Sequence, residues 1–190
     1  MSIETGSQAL SQFERRLLAG NAKARIKGLF RPHIVIHDAA SEVLGEIRAG
    51  LVFDRFPHRA RCTALGIEMS LAVAGFLNQS SHLLVNGDPM LRVSHPALSR
   101  RYVAEDWQGD TYQLHRRGRP WHRRFNLMRS AGEEELICFE CASLCRETVL
   151  SIVAQPELKP GVIAGLALLL YYNWYLSLRT AFISAGGAGG

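Results

Sequence analysis

The sequence predicts a mainly β fold: a closed antiparallel β-barrel of about twelve strands around a central hydrophobic C-terminal α-helix, with a short N-terminal helix packed outside. Two observations predict it. From residue 23 onward, short apolar runs alternate with polar residues at a period of two and are separated by turn residues, which is typical of a barrel or sandwich. Residues 161–178 then form an uncharged apolar helix, and the inner faces of barrel strands need such a filling.

The segment boundaries follow from changes in this pattern. Residues 1–22 form an N-terminal helical segment, residues 23–183 the barrel with its helix, and residues 184–190 a flexible glycine-rich tail. In the first segment, residues 5–19 carry apolar residues at helical spacing with charged residues opposite them: Leu10, Phe13 and Leu17. This helix is expected to pack against the rest of the domain.

Turn signals divide the β region into hairpins. Asn86-Gly87 lies between two apolar runs and predicts a type I′ turn, because both central residues of that turn need a positive φ. Residues 70–77 fit either a buried strand or a short helix, and their periodicity does not decide between the two. Strands are also predicted in RPHIVIHD, EVLGEIRAG, LVFDRF, RARCTALGIEM, RRYVAEDW, DTYQLHRR, RRFNLMRSAGEEELICFE and ETVLSIVA.

The apolar helix at residues 161–178 has two possible environments, a bilayer or the interior of the barrel. Its length, its flanking charges Lys159 and Arg179 and its cluster of aromatic residues suit a membrane span. Asn173 lies within the apolar span, however, and the aromatic residues crowd only its second half. We therefore expect the helix inside the barrel. A tail-anchored membrane protein with a cytoplasmic β domain is the alternative.

Positive charge is concentrated in one part of the sequence. The formal net charge is +5, and the basic residues are almost all arginine, 19 against 3 lysines. Residues 99–129 contain eight arginines and three acidic residues, which accounts for the whole excess. This composition favours partners that carry phosphate or carboxylate groups.

The densest chemical feature is an arginine-rich loop, HRRGRPWHRRF, at residues 115–125. Guanidinium groups bind phosphate through paired hydrogen bonds, and a tryptophan in a loop can sit at headgroup depth. The sequence leaves open an ordinary solvated loop, an anionic lipid site and a nucleic-acid site. We expect a site for an anionic phospholipid, with nucleic acid as a weaker alternative. Its candidate residues are Arg116, Arg117, Arg119, Trp121, Arg123 and Arg124.

No pattern in the sequence indicates catalysis. There is no nucleophile elbow of the G-x-S-x-G type and no glycine-rich phosphate loop before a helix, so no enzymatic activity and no cofactor is predicted. Cys138, Cys141 and Cys145 resemble a metal spacing, but residues three apart in a strand point to opposite faces. His33 and His37 share a strand face without a clear third ligand. No metal site is therefore predicted.

The expected location is the cytoplasm, with the protein at most peripheral at a membrane. The four cysteines do not form the framework of disulfides that is typical of small secreted domains. Glu4 and Glu14 lie where an export signal would need its apolar run.

The order of these elements resembles the tubby C-terminal-like superfamily, which includes phospholipid scramblases and LURP-one-related proteins. The residues that carry the resemblance are the hairpins HIVIHDAASEVLGEIR and RRFNLMRSAGEEELICFE, followed by PELKPGVIAGLALLLYYNWYLSL. The resemblance implies a barrel of about twelve strands around the helix, and contact with lipid or phosphoinositide rather than catalysis. The cysteine-rich cluster and the acidic calcium loop of scramblases are missing, so calcium-dependent scrambling is not implied.

Overall fold

The structure is a computed structural model that describes residues 3–27, 33–49, 58–75, 78–96, 101–119, 122–128, 135–142, 147–152 and 158–186. Helix α1 (Ile3–Leu18) comes first and helix α2 (Val162–Gly186) last. Between them run the strands β1 (Ala22–Lys27), β2 (His33–His37), β3 (Val43–Ala49), β4 (His58–Ala64), β5 (Ile67–Ala74), β6 (Asn78–Val85), β7 (Asp88–Pro96), β8 (Arg101–Asp106), β9 (Thr111–Arg119), β10 (His122–Met128), β11 (Glu135–Ala142) and β12 (Glu147–Ile152). The strand predicted in LVFDRF lies outside the described residues.

The sheet is antiparallel throughout, and each strand pairs with the strands before and after it in the chain. β1 also pairs with β12, where Ala24 lies opposite Thr148, so the strand order forms a closed barrel. Because successive strands alternate in direction, odd-numbered strands run away from α1 and even-numbered strands run back towards it. The mainly β fold with one helix at each end of the chain is confirmed.

The hairpin turns follow the local sequence. Asn86 and Gly87 have φ values of 54° and 94°, which confirms the predicted turn with two positive φ angles. A second tight turn, Leu65-Gly66, has φ values of 48° and 80° and was not predicted, because leucine is not a residue that usually signals such a turn. It divides RARCTALGIEM between β4 and β5, and the ambiguous residues 70–74 belong to strand β5.

Helix α2 is enclosed by strands. It contacts β2 and β11 on one side of the barrel and β6 and β7 on the other, and its residues from Val162 to Tyr172 are all buried. Gly165 permits the closest approach, since a Cβ atom there would lie 3.1 Å from a methyl carbon of Leu91. The helix extends beyond the predicted end at Leu178 to Gly186, so the first three residues of the predicted flexible tail are helical. Within the described residues, no helix has the length and apolar content that crossing a membrane requires.

One polar residue of α2 has a partner on the inner face of the sheet. Asn173 Nδ2 donates a hydrogen bond of 3.0 Å to Ser81 Oγ, which also lies 3.2 Å from Asn173 Oδ1. Ser81 is fully buried on β6. Burying an asparagine side chain in lipid costs free energy, because its amide group lacks hydrogen-bond partners there. Inside the barrel, the hydroxyl group of Ser81 forms those hydrogen bonds.

Helix α1 lies across the barrel end at which α2 begins and contacts α2, β4, β5 and β7, in line with the expectation that it packs against the rest of the domain. Its apolar residues Leu10, Phe13 and Leu17 are buried. Glu14 lies against the first turn of α2 and accepts a hydrogen bond of 3.1 Å from the backbone N–H of Ala164. The carboxylate thereby satisfies donors that the start of a helix otherwise leaves without partners. The barrel end covered by α1 is called the α1 end below.

Burial raises the pKa of Glu14, although hydrogen bonds from the backbone of Ala164, Gly161 and Ile163 act in the opposite direction. A raised pKa means that the folded protein binds a proton that the unfolded chain releases. The resulting stabilisation is complete below the ordinary pKa of 4.5 and is lost as the pH rises through the raised value.

We expect the substitution Glu14→Gln to remove this pH dependence, because a glutamine carbonyl still accepts the hydrogen bond and does not ionise. The variant should be at least as stable as the wild type at neutral pH. Urea unfolding between acidic and neutral pH measures the effect. Glu4→Gln, at an exposed position of the same helix, is the matched control and should retain the wild-type slope. If the free energy of unfolding changes equally with pH in the wild type and in Glu14→Gln, the prediction is contradicted.

A cluster of charged residues ties the β8–β9 turn to the segment before α2. Asp106 Oδ1 accepts hydrogen bonds from the backbone N–H groups of Gln108 and Asp110 at 2.9 and 3.0 Å. Its other oxygen accepts one from the Tyr112 hydroxyl at 2.9 Å and lies 3.4 Å from Lys159 Nζ, which also contacts Asp110. Lys159 is therefore part of an ion-pair cluster at the α1 end.

Candidate anion-binding surface

The arginine-rich stretch is a hairpin of two paired strands, not the loop that the sequence predicted. β9 and β10 pair from His122 opposite Arg119 to Met128 opposite Gln113. Residues 120 and 121 separate the two strands. They lie outside the described residues, and Trp121 is one of them. The candidate arginines belong to the strands: Arg116, Arg117 and Arg119 to β9, and Arg123 and Arg124 to β10. The pair Arg119 and His122, at the turn side of this hairpin, lies at the barrel end away from α1, which is called the hairpin end below.

Strand alternation separates two arginines that are adjacent in the sequence. Arg117 is exposed, whereas Arg116 is half-buried on the face that also carries the buried Leu114. Burial lowers the pKa of His95, and the positive charge of Arg116 lowers it further, which places the guanidinium near that ring. The His95 ring lies 5.1 Å from the ring of Tyr102. Arg116 is therefore less accessible to an anion than Arg117.

Two arginines lie directly opposite each other across the hairpin. The cross-strand partner of Arg117 is Arg124, whose other neighbour, on β11, is Glu140. Direct partners in an antiparallel pair have Cβ atoms roughly 5 Å apart, and like charges at that distance are unfavourable. An anion bound to both side chains would remove this repulsion. Such a pair favours binding of a group with several acceptor oxygens, such as phosphate.

The neighbouring strand continues the basic surface. Arg101, at the start of β8, is exposed and lies opposite His115 on β9. His115 in turn lies opposite Asn126 on β10. Asn126 is buried, so the groups of this row that can donate hydrogen bonds to an anion are those of Arg101 and the half-buried His115, on two adjacent strands.

A second polar feature, missed at the sequence level, is a cleft of about 190 Å³ beside β1 and β2. Arg16 of α1 reaches its edge and donates a hydrogen bond of 2.6 Å to Asp38, which holds the pKa of that carboxyl below its ordinary value. The cleft contains both signs of charge, so it is a weaker anion site than the hairpin. It is lined by Asn21, Lys23, Arg25, His37, Asp38, Ala39 and Ser41. No local pattern predicts this cleft, because its lining comes from two segments that are separate in the sequence.

The cysteines and histidines do not converge. Cys62 and Cys138 are buried, and burial raises the pKa of the Cys62 thiol to about 12. Cys138 and Cys141 lie opposite Asn126 and Arg123, three register positions apart on β11, and Cys145 falls outside the described residues. Among the residues that the structure describes, no three His, Cys, Asp or Glu side chains are placed to hold a metal ion.

In comparisons with models of protein families, with curated proteins and with solved structures, nothing matches this chain. The resemblance to the tubby C-terminal-like superfamily therefore stays a prediction. The function has to be inferred from the surface of the barrel itself.

Proposed function

We propose that the protein is a non-enzymatic binding module whose β9–β10 hairpin contacts an anionic lipid headgroup or membrane surface. The observation that carries the proposal is the cross-strand pair of Arg117 and Arg124 beside Arg101. The barrel holds these positions in fixed register, so the arginines need little ordering on binding.

Several features of the fold fit a binding module. α2 occupies the inside of the barrel, so the interior is filled by protein and not available to a ligand. The buried charged and polar groups with named partners, Glu14, Asp106 and Ser81, hold helices and turns in place. The arginine positions of the hairpin, with Arg117 exposed, therefore supply the chemistry that we assign to binding.

The proposal is tested by sedimentation with vesicles of phosphatidylcholine alone and with rising fractions of phosphatidylserine or a phosphoinositide. Each arginine near an anionic surface contributes about 1 kcal/mol, so the double variant Arg117→Gln/Arg124→Gln should lower the apparent affinity by roughly thirtyfold. Raising the salt concentration should weaken wild-type binding, because the attraction decays over a Debye length of roughly 8–10 Å.

The matched control removes the same charge elsewhere. Arg15 lies on α1 at the opposite end and Arg92 at the middle of β7, and both are exposed, so Arg15→Gln/Arg92→Gln should bind almost as tightly as the wild type. Soluble inositol phosphate is added as a competitor. It should displace the protein from vesicles if the site recognises the headgroup, and it should not if the protein is attracted only to the charged surface. Wild-type binding that is equal on neutral and anionic vesicles would overturn the proposal.

A further inference from the structure

The alternating direction of the strands collects basic residues at the hairpin end from segments that are distant in the sequence. Odd-numbered strands finish there and even-numbered strands start there. Lys27 ends β1 and lies opposite His33, which starts β2. His33 lies opposite Arg48 near the end of β3, and Arg48 lies opposite Arg61 on β4. This row crosses four adjacent strands on the side of the barrel away from the β9–β10 hairpin.

The basic side chains of the row on β1–β4 are exposed, and Glu46 and Glu68, both opposite Thr63, flank it on the side nearer the α1 end. Lys27, Arg48 and Arg61 are all exposed, and Arg59 adds a further exposed arginine two residues before Arg61. Arg48 is paired with Glu46 of its own strand at 2.9 Å. Arg48 and Arg61 are cross-strand partners of like charge, the same arrangement as Arg117 and Arg124. The barrel therefore carries two such pairs at one end.

The opposite end of the barrel carries more of the acidic residues. Glu68 and Asp88 lie at the starts of β5 and β7, and Glu105 and Asp106 lie at the end of β8. Turns at the same end add Asp38, Glu42 and Asp110, two of which are held by Arg16. Towards the hairpin end, the described strands place Glu46, Glu140 and Glu147 among the basic residues. The α1 end also carries Arg15, Arg16, Lys23 and Lys159, but its acidic residues outnumber them. The balance of charge therefore differs between the two ends of the barrel.

From this difference we propose that the whole hairpin end, including β1–β4, docks on an anionic membrane, so that the barrel stands end-on and α1 points away from the lipid. The inference rests on the proposed function and extends it from one hairpin to a face. The strand ends of a barrel form a ring, so one flat surface can reach basic residues on both sides of it at once. The difference in charge also orients the molecule before contact, because the field of the membrane repels the acidic α1 end.

The test compares three double variants that each remove two positive charges. Lys27→Gln/Arg59→Gln, the β4 variant, changes residues at the end of β1 and the start of β4. Arg117→Gln/Arg124→Gln changes the hairpin, and Arg15→Gln/Arg92→Gln is the control. Because an arginine or lysine near an anionic surface is worth about a fivefold change in binding, both test variants should lose roughly thirtyfold in affinity for phosphatidylserine vesicles. The control should change by less than threefold, and thermal unfolding must show that all three variants remain folded.

The outcomes separate the two proposals. Loss in the hairpin variant alone would overturn end-on docking and leave hairpin binding intact. Equal loss of binding in all three variants would show that net charge alone attracts the protein, and it would overturn both proposals. Loss of binding in the β4 variant alone would also overturn both proposals. The same experiment with duplex RNA tests the choice of partner. If the protein binds RNA more tightly than vesicles at equal phosphate concentration, and the two test variants lose that binding, the membrane is not the partner.

Discussion

The substitution Leu169→Asp is expected to abolish folding. Leu169 is fully buried in the middle of α2, where apolar residues from the strands surround it. An ionised carboxylate at such a position has no partner, and the cost of burying it exceeds the roughly 5–15 kcal/mol by which a domain is stable. Even the milder change Leu169→Ala should cost about 2–5 kcal/mol, because the packed interior collapses only partly around the lost side chain.

The matched control for this change is Val103→Asp. Val103 lies on β8 and is 47% exposed, so the same chemical change there should leave the stability within about 0.5 kcal/mol. Circular dichroism and urea unfolding measure both variants, and a chain that ends at residue 159 should fail in the same way as Leu169→Asp. A truncated chain with a cooperative unfolding transition would refute the role of α2 as the filling of the barrel.

The second large effect is expected at Asp106, whose substitution by alanine should lower the free energy of unfolding by about 3 kcal/mol. Its side chain has no exposed surface and accepts three hydrogen bonds besides the contact with Lys159. Removing the carboxylate leaves the Tyr112 hydroxyl and two backbone N–H groups without their acceptor. It also releases the segment that leads into α2.

Asp110→Ala is the control, because Asp110 is largely exposed and its side chain contacts the same lysine. That variant should change the stability by less than about 1 kcal/mol. Equal effects of the two substitutions would show that the ion pair with Lys159, and not the set of hydrogen bonds, stabilises the turn.

The stabilisation that Asp106 contributes to the fold also depends on pH. Burial alone would raise the pKa of Asp106, but hydrogen bonds from Gln108, Tyr112 and Asp110 and the charge of Lys159 outweigh it and hold the pKa below 3.8. The stabilisation is present above that ordinary value and is lost as the pH falls through the lower folded value. Glu14 behaves in the opposite sense, so the two groups can be told apart by titration.

The elements were predictable from the sequence wherever a local signal determines the structure. The period-two alternation, the Asn86-Gly87 turn and the uncharged apolar helix each rest on residues that are near one another in the chain. The contact between Glu14 and Ala164 joins residues 150 positions apart, and no local pattern encodes it. Leu65-Gly66 escaped prediction because the closure of a tight hairpin, not the preference of leucine, sets the positive φ there.

The candidate site was predictable in composition but not in arrangement. In the sequence, the whole excess of positive charge lies at residues 99–129, and the formal charges of the remaining residues sum to zero. Charge that balances along the chain need not balance in space, because the direction of each strand decides which end of the barrel a residue occupies. Arg59 and Glu68 are nine residues apart, and because a turn reverses the chain between them, Glu68 lies opposite Thr63, four register positions nearer the α1 end than Arg59.

The connection between β1 and β12 has a consequence for how the chain folds. The first strand finds its last partner only after eleven other strands have been made, and the helix that they enclose follows all twelve. Contacts this distant in sequence form slowly, because a long loop must close before any of them is gained. During synthesis, the strands therefore leave the ribosome before the apolar segment that they enclose. Until α2 arrives, their inner faces and the unpaired edges of β1 and β12 stay open to association with other chains.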